Sequence, residues 1–342
     1  MATGPIIGAV CPHCDRILSH HPSPSPLDII AADMRAVDDV IAMRLHSRVP
    51  LVKDVAQYII AAGGKRLRPA LLLLCAGAVG LTHKDRHTLA AVVEFIHTAT
   101  LLHDDVVDES TLRRGRATAN ETFGNAASVL VGDFLYSRAF QMMVDTQNMR
   151  VMHILSDATN VIAEGEVMQL VNMRDAALTE TDYLDVIRSK TAKLFEASAR
   201  LAPVLADSPS AWEEACATYG QALGTAFQVI DDVLDYEGDA RDMGKNLGDD
   251  LREGKVTLPV IAALRAADPA ERDVITEAIT QGQLDRLDEI VAIVHRRGGL
   301  EVARQAASCE AQRAIDALDA LPDNAHRSAL LQLAADLLRR RH

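Results

Sequence analysis

Aromatic residues are scarce in this 342-residue chain, at 4%, although hydrophobic residues of all kinds make up 49%. The apolar mass is therefore mostly Ala, Leu, Val and Ile, and intrinsic helix formers dominate it. No run of alternating residues convincingly predicts a strand, and no internal repeat of fixed period is present. These absences argue against a sheet-based or repeat fold and predict an all-α protein.

Basic residues are also fewer than acidic residues. The formal net charge is −13, which argues against a basic surface that binds nucleic acid. The longest nearly apolar run, residues 70–79, is too short to span a bilayer. Residues 1–20 lack the long apolar core and basic start of a secretory signal. We therefore expect a soluble, cytoplasmic protein with no transmembrane segment.

Cysteines are few and odd in number, at Cys11, Cys14, Cys75, Cys216 and Cys309. This scattered set argues against a disulfide framework and fits a reducing cytoplasm. Cys11 and Cys14 have the CxxC spacing of a zinc-binding pair. A zinc site needs a second ligand pair, and none follows nearby, so zinc is not favoured there.

Residues 1–26 have the composition of a disordered N-terminal extension, which ends in a Pro/Ser run. Apolar residues then recur at helical spacing from Leu27 onward, with Ser25 as a cap and Pro26 at the first helical position. Pro203 and Pro209 mark a predicted loop in mid-chain, but composition does not change across it. Gly220 is predicted to mark a break between helices. Residues 27–342 are therefore predicted to form a single all-helical domain.

An acidic cluster follows an apolar helical stretch near residue 104. Asp104 and Asp108 are four residues apart and share one face of the predicted helix, with Asp105 at its edge. Gly115 soon follows, so these carboxylates are expected near a helix C-terminus. The partial negative charge of that terminus increases their demand for cations.

The same spacing recurs in Asp231, Asp232 and Asp235, late in a second apolar helix that is predicted to end near Gly238. Hard oxygen ligands of this kind suit magnesium, which bridges protein carboxylates to substrate phosphates. A solvated acidic face explains one such cluster as well as a metal site does. Two clusters, each after an apolar helix and each accompanied by cations, favour two metal-binding clusters that face each other.

Basic residues accompany the acidic clusters at four places: residues 63–69, 113–114, 190–191 and 244–259. Each one alone is explained by an ordinary surface charge. Together they supply the arginine forks and lysine point charges that a diphosphate needs beside metal-binding carboxylates. His97 lies about two turns before Asp104 on a similar helix face. Core packing is the usual role of such a histidine, but here we expect a phosphate contact.

These segments resemble the motifs of the trans-isoprenyl diphosphate synthase family, also called polyprenyl synthetases. The similarity covers about residues 27–340, in GGKRLRP, EFIHTATLLHDDVVDESTLRRG, GDFLYSRAF, IAEGEVMQL, SKTAKLFEASA, FQVIDDVLDYEGD and GKNLGDDLREGKVTLP. Within the family the chain is most similar to the long-chain enzymes that make octaprenyl diphosphate for ubiquinone side chains. The resemblance implies an all-α isoprenoid synthase-type bundle around a deep central cavity, assembled as a homodimer.

The resemblance also implies a reaction and a set of site residues. Isopentenyl diphosphate would condense with an allylic diphosphate such as farnesyl diphosphate, with about three Mg²⁺ ions as cofactor and with delivery of the product to a membrane. The implied metal ligands are Asp104, Asp108 and Asp231. The wider catalytic set adds Asp105, Asp232, Asp235, Lys190 and Lys245. The isopentenyl diphosphate site matches Lys65, Arg68, His97 and Arg114. The allylic diphosphate side matches Arg113, Lys190, Thr191, Gln228, Lys245 and Lys255.

Product length is expected to depend on the helix that carries the first cluster. Thr100 and Ala99, four and five residues before Asp104, are small and leave a tunnel open one turn below the metals. Phe140 is a candidate for the tunnel floor, and ordinary core packing explains it equally well. An octaprenyl product is favoured, and nonaprenyl or decaprenyl products stay open.

Three alternatives stand beside this interpretation. A class I terpene cyclase shares the first aspartate motif, but it has a different second motif and more aromatic residues to surround carbocations. A non-catalytic regulatory subunit tends to lose one aspartate cluster, and both are intact here. A medium-chain, geranylgeranyl-type synthase is the closest alternative.

Replacement of Ala99 by phenylalanine should shorten the product sharply, because the ring would block the tunnel one turn below the first cluster. Product length is measured by mass spectrometry after elongation of farnesyl diphosphate, with the wild-type protein as reference. A product of unchanged length would refute the tunnel assignment.

Overall fold

The computed structural model describes residues 25–61, 63–237, 248–282 and 285–340. Almost all of its regular structure is helical. The α-helices are α1 (Ala31–Arg44), α2 (Pro50–Ala61), α3 (Leu67–Ala78), α4 (Asp85–Val107), α5 (Ala119–Phe123), α6 (Asn125–Asp145), α7 (Met149–Val171), α8 (Glu180–Ile187), α9 (Lys193–Leu205), α10 (Ser210–Glu237), α11 (Asp249–Arg252), α12 (Leu258–Ala266), α13 (Pro269–Gln281), α14 (Leu287–Arg296), α15 (Gly299–Ala317) and α16 (Ala325–Leu338). The prediction of an all-α fold is confirmed.

Shorter elements complete the described chain. There are 3₁₀ turns at Asp28–Ile30 and Leu318–Ala320, and one π-helical turn at Arg188–Ala192. Two strands, β1 (Leu112–Arg113) and β2 (Arg116–Ala117), pair antiparallel, so the expectation of no strand is wrong at this hairpin. None of the helices in the described ranges combines the length and the apolar character that crossing a membrane requires.

Several sequence predictions fall outside the described residues. Cys11 and Cys14 lie there, with residues 1–24 of the predicted extension. Gly238 and Lys245 lie there too. The Ser25 hydroxyl accepts a hydrogen bond from the Leu27 amide at 3.3 Å. However, Leu27 rather than Ser25 is the N-cap residue, and Pro26 lies in a turn, so the predicted cap and first helical position are wrong. The first full α-helix starts later than predicted, at Ala31, after the short 3₁₀ turn.

The predicted mid-chain loop is shorter than expected, because Pro203 lies inside α9 and only Pro209 is in the loop. Pro203 is buried in the last turn of α9, where it removes one backbone hydrogen bond from the helix. Gly220 likewise lies inside α10 rather than between helices. A Cβ atom at Gly220 would lie 2.5 Å from the backbone oxygen of Phe195, so this glycine lets α9 and α10 approach closely.

Two hydrophobic clusters form the core, and α10 takes part in both. The larger cluster contains residues of α1 to α7, α9, the first half of α10, the C-terminal part of α15 and α16. The smaller cluster contains residues of the second half of α10, of α8, of α11 to α14 and of the N-terminal part of α15. With 28 residues, α10 is about 42 Å long at 1.5 Å per residue. Helix α9 packs against both α4 and α10. It therefore links the two helices that carry the acidic clusters.

Substitution of Gly220 by alanine should lower the free energy of unfolding. Alanine gains about 1 kcal/mol in helix propensity, but its methyl group would overlap the Phe195 carbonyl, and such overpacking costs about 1–3 kcal/mol beyond that gain. Urea unfolding followed by circular dichroism measures the difference. Glu214→Ala, at an exposed position of the same helix, is the matched control. Stability equal to the wild type in Gly220→Ala would contradict the proposed close packing.

Candidate active site

A cavity of about 710 Å³ lies at the ends of α4 and α10. Both acidic clusters open onto it. The aspartates that line it are Asp104 and Asp108 from the first cluster and Asp231, Asp232 and Asp235 from the second. Most of the predicted cationic residues line the same cavity: Lys65, Arg68, Arg113, Arg114, Lys190 and Lys255. Two sequence segments more than a hundred residues apart therefore contribute to one polar site.

The first cluster sits where α4 ends and the chain turns into the β-hairpin. Asp108 caps the helix, and its amide donates to the Asp104 carbonyl at 2.8 Å. Asp105 points away from the cavity and is only 1% exposed. Arg113 of β1 binds it through Nη2 at 2.6 Å and Nε at 3.1 Å. The charge of Asp105 is thus neutralised within the fold, and this pair fixes the hairpin against the end of α4.

The hairpin turn carries a further cation, Arg114, to the cavity. Arg114 and Gly115 both have positive φ, at 52° and 73°, which is the geometry of a two-residue type I′ turn. The Arg114 guanidinium lies against the loop before α3, where a Cβ atom at Gly64 would be 2.6 Å from it. Gly64 therefore makes room for Arg114 beside Lys65. Burial lowers the pKa of Arg114, with Arg113 adding to this effect and Glu94 opposing it.

A hydrogen-bonded pair of side chains, Arg68 and His97, connects α3 to α4 at the wall of the cavity. The Arg68 guanidinium donates to His97 Nε2 at 3.1 Å and stacks on the Phe195 ring at 4.5 Å. Because arginine only donates, His97 Nε2 is the acceptor and its proton is on Nδ1. Burial and the neighbouring arginines lower the pKa of His97 well below its usual value, so the imidazole is neutral. Burial lowers the pKa of Arg68 to about 10, against the opposing charge of Glu94.

The second cluster is anchored by one buried carboxylate. Asp232 is 3% exposed, and it accepts hydrogen bonds from the Tyr183 hydroxyl at 2.6 Å and from Gln228 Nε2 at 2.8 Å. Thr191 in turn donates to Gln228 Oε1 at 3.0 Å. Burial, together with the charge of Asp250, raises the pKa of Asp232 well above its usual range. Asp232 therefore holds the Tyr183 and Gln228 side chains in place beside the cavity.

The other two aspartates of the second cluster have different surroundings. Asp231 is more exposed, and Arg340, just after α16, lies 3.2 Å from its carboxylate. Asp235 accepts from the Asp250 amide at 3.3 Å, and its backbone oxygen accepts from the Gly248 amide at 3.0 Å. These two bonds hold residues 248–250 against the second cluster.

Two lysines lie beside the first cluster. Lys190 lies in the π-helical turn, a type of distortion that is frequent at functional sites. Its ammonium is 3.8 Å from Asp104 and 2.6 Å from Glu166. The turn can approach α7 because Gly165 has no side chain, since a Cβ atom there would lie 2.7 Å from the Lys190 amide. Burial raises the pKa of Glu166 to about 7, with Asp104 adding to this effect and Lys190 opposing it.

Lys255 has an equivalent position beside the last aspartate of the first cluster. Its ammonium is 2.7 Å from Asp108 and 2.7 Å from Glu253. Burial favours the neutral amine, but the charges of Asp108 and Glu253 outweigh it and raise the pKa of Lys255. A segment that follows the second cluster in sequence thus contacts the first cluster directly.

The residues of this site fit a magnesium centre. Carboxylate oxygens are the ligands that Mg²⁺ prefers, and ammonium groups already lie beside Asp104 and Asp108, where cations are needed. Within the part of the chain that the structure describes, no three metal-ligating side chains converge on one point. An ion bound here would therefore take its remaining ligands from water and from substrate oxygens, as Mg²⁺ commonly does.

The predicted chain-length residues occupy different positions. Thr100 lines the cavity. Ala99 is fully buried in the larger hydrophobic cluster, and Phe140 of α6 packs against that cluster. Neither Ala99 nor Phe140 is among the residues that line the described cavity. The roles of these three residues in product length stay predictions.

Sequence reasoning missed several polar residues that line the cavity, among them Glu94, Glu166, Tyr183, Glu253 and Arg340. Glu94 lies three residues before His97, so helical spacing carried a signal for it. Glu253 lies two residues before Lys255 in the same basic loop. Tyr183 and Arg340 are distant in sequence from the groups that they contact, and no local pattern identifies them.

Both the sequence and the fold are similar to those of known proteins. The family model described as "Polyprenyl synthetase" matches residues 49–294. The chain is 51% identical over 308 residues to the octaprenyl diphosphate synthase of Escherichia coli (strain K12), covering 90% of this chain and 95% of that protein.

Two solved structures are similar over nearly their full length. A polyprenyl synthase from Caulobacter crescentus CB15, complexed with calcium and isoprenyl diphosphate, superposes with a TM-score of 0.90 at 43% identity, covering 94% of this chain and all of that one. A decaprenyl diphosphate synthase from Rhodobacter capsulatus superposes with a TM-score of 0.88 at 48% identity, covering 93% and 98%. The similarity to all three relatives therefore extends well beyond the motif segments.

Substitution of Arg113 by glutamine should destabilise the protein by about 3 kcal/mol, because it leaves the buried Asp105 carboxylate without its cation. The free energy of unfolding, measured in urea without any ligand, tests this expectation. Arg116→Gln, at an exposed position on the paired strand, should change stability little. If both variants unfold like the wild type, the Asp105–Arg113 pair does not hold the hairpin.

Proposed function

The chain belongs to the polyprenyl synthetase family as a long-chain trans-polyprenyl diphosphate synthase, and from that premise we propose that it adds isopentenyl diphosphate to an allylic diphosphate such as farnesyl diphosphate. The observation that carries this proposal is the single cavity onto which both acidic clusters open, with cations from four other segments around them. We further propose that the product supplies the ubiquinone side chain and passes to a membrane.

The metal ligands in this proposal are Asp104, Asp108 and Asp231, which all line the cavity. About three Mg²⁺ ions bound there with substrate would neutralise the charge that develops on the leaving diphosphate. Asp232 and Asp235 support this arrangement from α10, and Asp105 supports it through Arg113. This division of roles follows from exposure, because Asp105, Asp232 and Asp235 are at most 5% exposed, whereas the side chains of the three proposed ligands are 14–39% exposed.

The allylic diphosphate lies, in this proposal, against the two lysines beside the first cluster. Lys190 and Lys255 supply point charges for its oxygens, and Arg113 adds a guanidinium at the same wall. Lys245 belongs to the same set by sequence and lies outside the described residues. Thr191 and Gln228 are hydrogen-bonded to each other beside the cavity, and their dipoles are placed to stabilise an allylic cation without trapping it covalently.

Isopentenyl diphosphate lies on the opposite basic wall, against Lys65, Arg68, His97 and Arg114. The neutral His97 donates through Nδ1, and Arg68 is held rigid by Phe195 and His97. The isopentenyl double bond attacks the allylic cation after the C–O bond ionises. The released diphosphate then accepts the proton that the new cation loses. Exclusion of water from the cavity protects the cation, which water would otherwise quench.

We propose a product of octaprenyl length. The relative at 51% identity is named for that product, whereas a decaprenyl synthase is 48% identical. The two identities are too close to decide the number of units, and product mass decides it directly. The presence of both clusters in one cavity argues against a non-catalytic regulatory subunit.

We also propose a homodimer in the cytoplasm. Large apolar side chains are exposed along neighbouring helices α6 and α7, where a second copy would cover them: Val129, Leu130, Val144, Met149, Val167, Leu170 and Val171. The thiols of Cys75, Cys216 and Cys309 are free, which supports a reducing compartment.

Asp104→Ala and Asp231→Ala should each reduce the rate of chain elongation by about 10²–10³-fold, because each removes a carboxylate on which the metal cluster depends. The assay supplies farnesyl diphosphate, isopentenyl diphosphate and magnesium, and it identifies products by mass. Asp273→Ala, at an exposed position of α13, is the matched control, and a chelator should abolish wild-type turnover. Wild-type turnover in either cavity variant would remove the metal-clamp hypothesis.

A further inference from the structure

We propose that Glu166 and Glu253 are positioning residues that share Lys190 and Lys255 with the first aspartate cluster, so that Asp104 and Asp108 stay able to bind divalent cations. This inference deepens the proposed function and rests on it. It concerns two glutamates that line the cavity but belong to neither acidic cluster.

The contacts of Lys190 show the first of these arrangements. Its ammonium is 2.6 Å from Glu166 and 3.8 Å from Asp104. Glu166 therefore makes the direct ion pair, and Asp104 is the more distant partner. The three side chains come from α7, the π-helical turn and α4, so three separate elements must pack correctly to produce these distances.

The contacts of Lys255 repeat the arrangement with different elements. Its ammonium lies 2.7 Å from both Asp108 and Glu253, so the two carboxylates share one cation. Side-chain exposure is 17% for Lys255, 14% for Asp108 and 27% for Glu253. Because all three are largely shielded from water, their mutual electrostatic interactions are stronger than those of surface charges.

The charges of the two arrangements explain why a second carboxylate is needed. Each lysine faces one aspartate and one glutamate, so its charge is divided between two carboxylates. Without its glutamate, each lysine would form a closed one-to-one pair with its aspartate. A metal ion would then have to break a shielded ion pair, which is costly.

The arrangement also leaves the lysines ready for a second role. When a cation binds the aspartate, the ammonium is still held by its glutamate at the wall of the cavity. A diphosphate that enters beside the metal then meets an ammonium group at the wall of the cavity. Glu166 and Glu253 act through the lysines and are therefore positioning residues rather than catalytic residues.

Glu166→Gln and Glu253→Gln test the inference, since glutamine keeps the size and removes the charge. Manganese(II) is the probe, and free manganese is measured by electron paramagnetic resonance with and without inorganic diphosphate. Each variant should bind manganese about ten-fold more weakly, while kcat at saturating magnesium stays close to the wild-type value. Glu196→Gln is the matched control. Glu196 pairs with Lys193 at 3.4 Å in the same way but does not line the cavity, and its removal should leave metal affinity unchanged.

Thermal unfolding of each variant shows whether it is folded. Because the two glutamates lie on different elements, one variant still tests the inference if the other does not fold. Unchanged manganese affinity in the folded variants would overturn the inference. So would a loss of kcat that saturating metal does not restore, because the glutamates would then act on the reaction directly. Failure of the proposed function looks different, since the wild-type protein would then elongate no farnesyl diphosphate whatever the metal titrations show.

Discussion

Repulsion between carboxylates is the constraint on which the active-site end of this molecule depends. Two α-helices end with aspartates on the same face, and both ends open onto one cavity. The helix C-termini add partial negative charge of their own, so the clusters are unfavourable unless cations come close. Cations are supplied by elements far away in the sequence, and the need to bring them together accounts for much of the local architecture.

Several irregular features of the fold serve this purpose. The π-helical turn at Arg188–Ala192 brings Lys190 against α7, and Gly165 gives it the space. The small hairpin after α4 turns back so that Arg113 neutralises Asp105 and Arg114 reaches the loop before α3. Helix α9 fits closely against α10 because glycines replace side chains at their contact. The regular helices form the core of the fold, and these irregular features position charged side chains around the cavity.

The overall fold could be predicted from the sequence because its signals are local. Apolar spacing identified the helices, and four-residue spacing placed Asp104 beside Asp108. The resemblance to a known family then implied which basic residues belong to the cavity, and most of them line it. Local sequence signals gave wrong predictions at positions where tertiary packing determines the structure. Gly220 looked like a break but is a contact point between helices, and Pro203 looked like a loop residue but lies inside α9.

The residues that sequence reasoning missed share a physical reason. Tyr183 contacts Asp232 across 49 positions of sequence, and Arg340 contacts Asp231 across more than a hundred. No periodicity links such partners, because tertiary packing alone brings them together. Glu166 and Glu253 were overlooked for a different reason. An acidic residue beside a basic one is ordinary on a protein surface, and only the third partner, an aspartate from another element, makes each arrangement unusual.

The central claim is that both acidic clusters bind metal ions around one diphosphate. The most direct measurement is a crystal structure of the wild-type protein with magnesium and a non-reactive thio analogue of farnesyl diphosphate. We expect metal ions that join oxygens of Asp104 and Asp108 on one side, and of Asp231 on the other, to the same diphosphate. Ions bound at only one of the clusters, or a diphosphate held outside the shared cavity, would contradict the account.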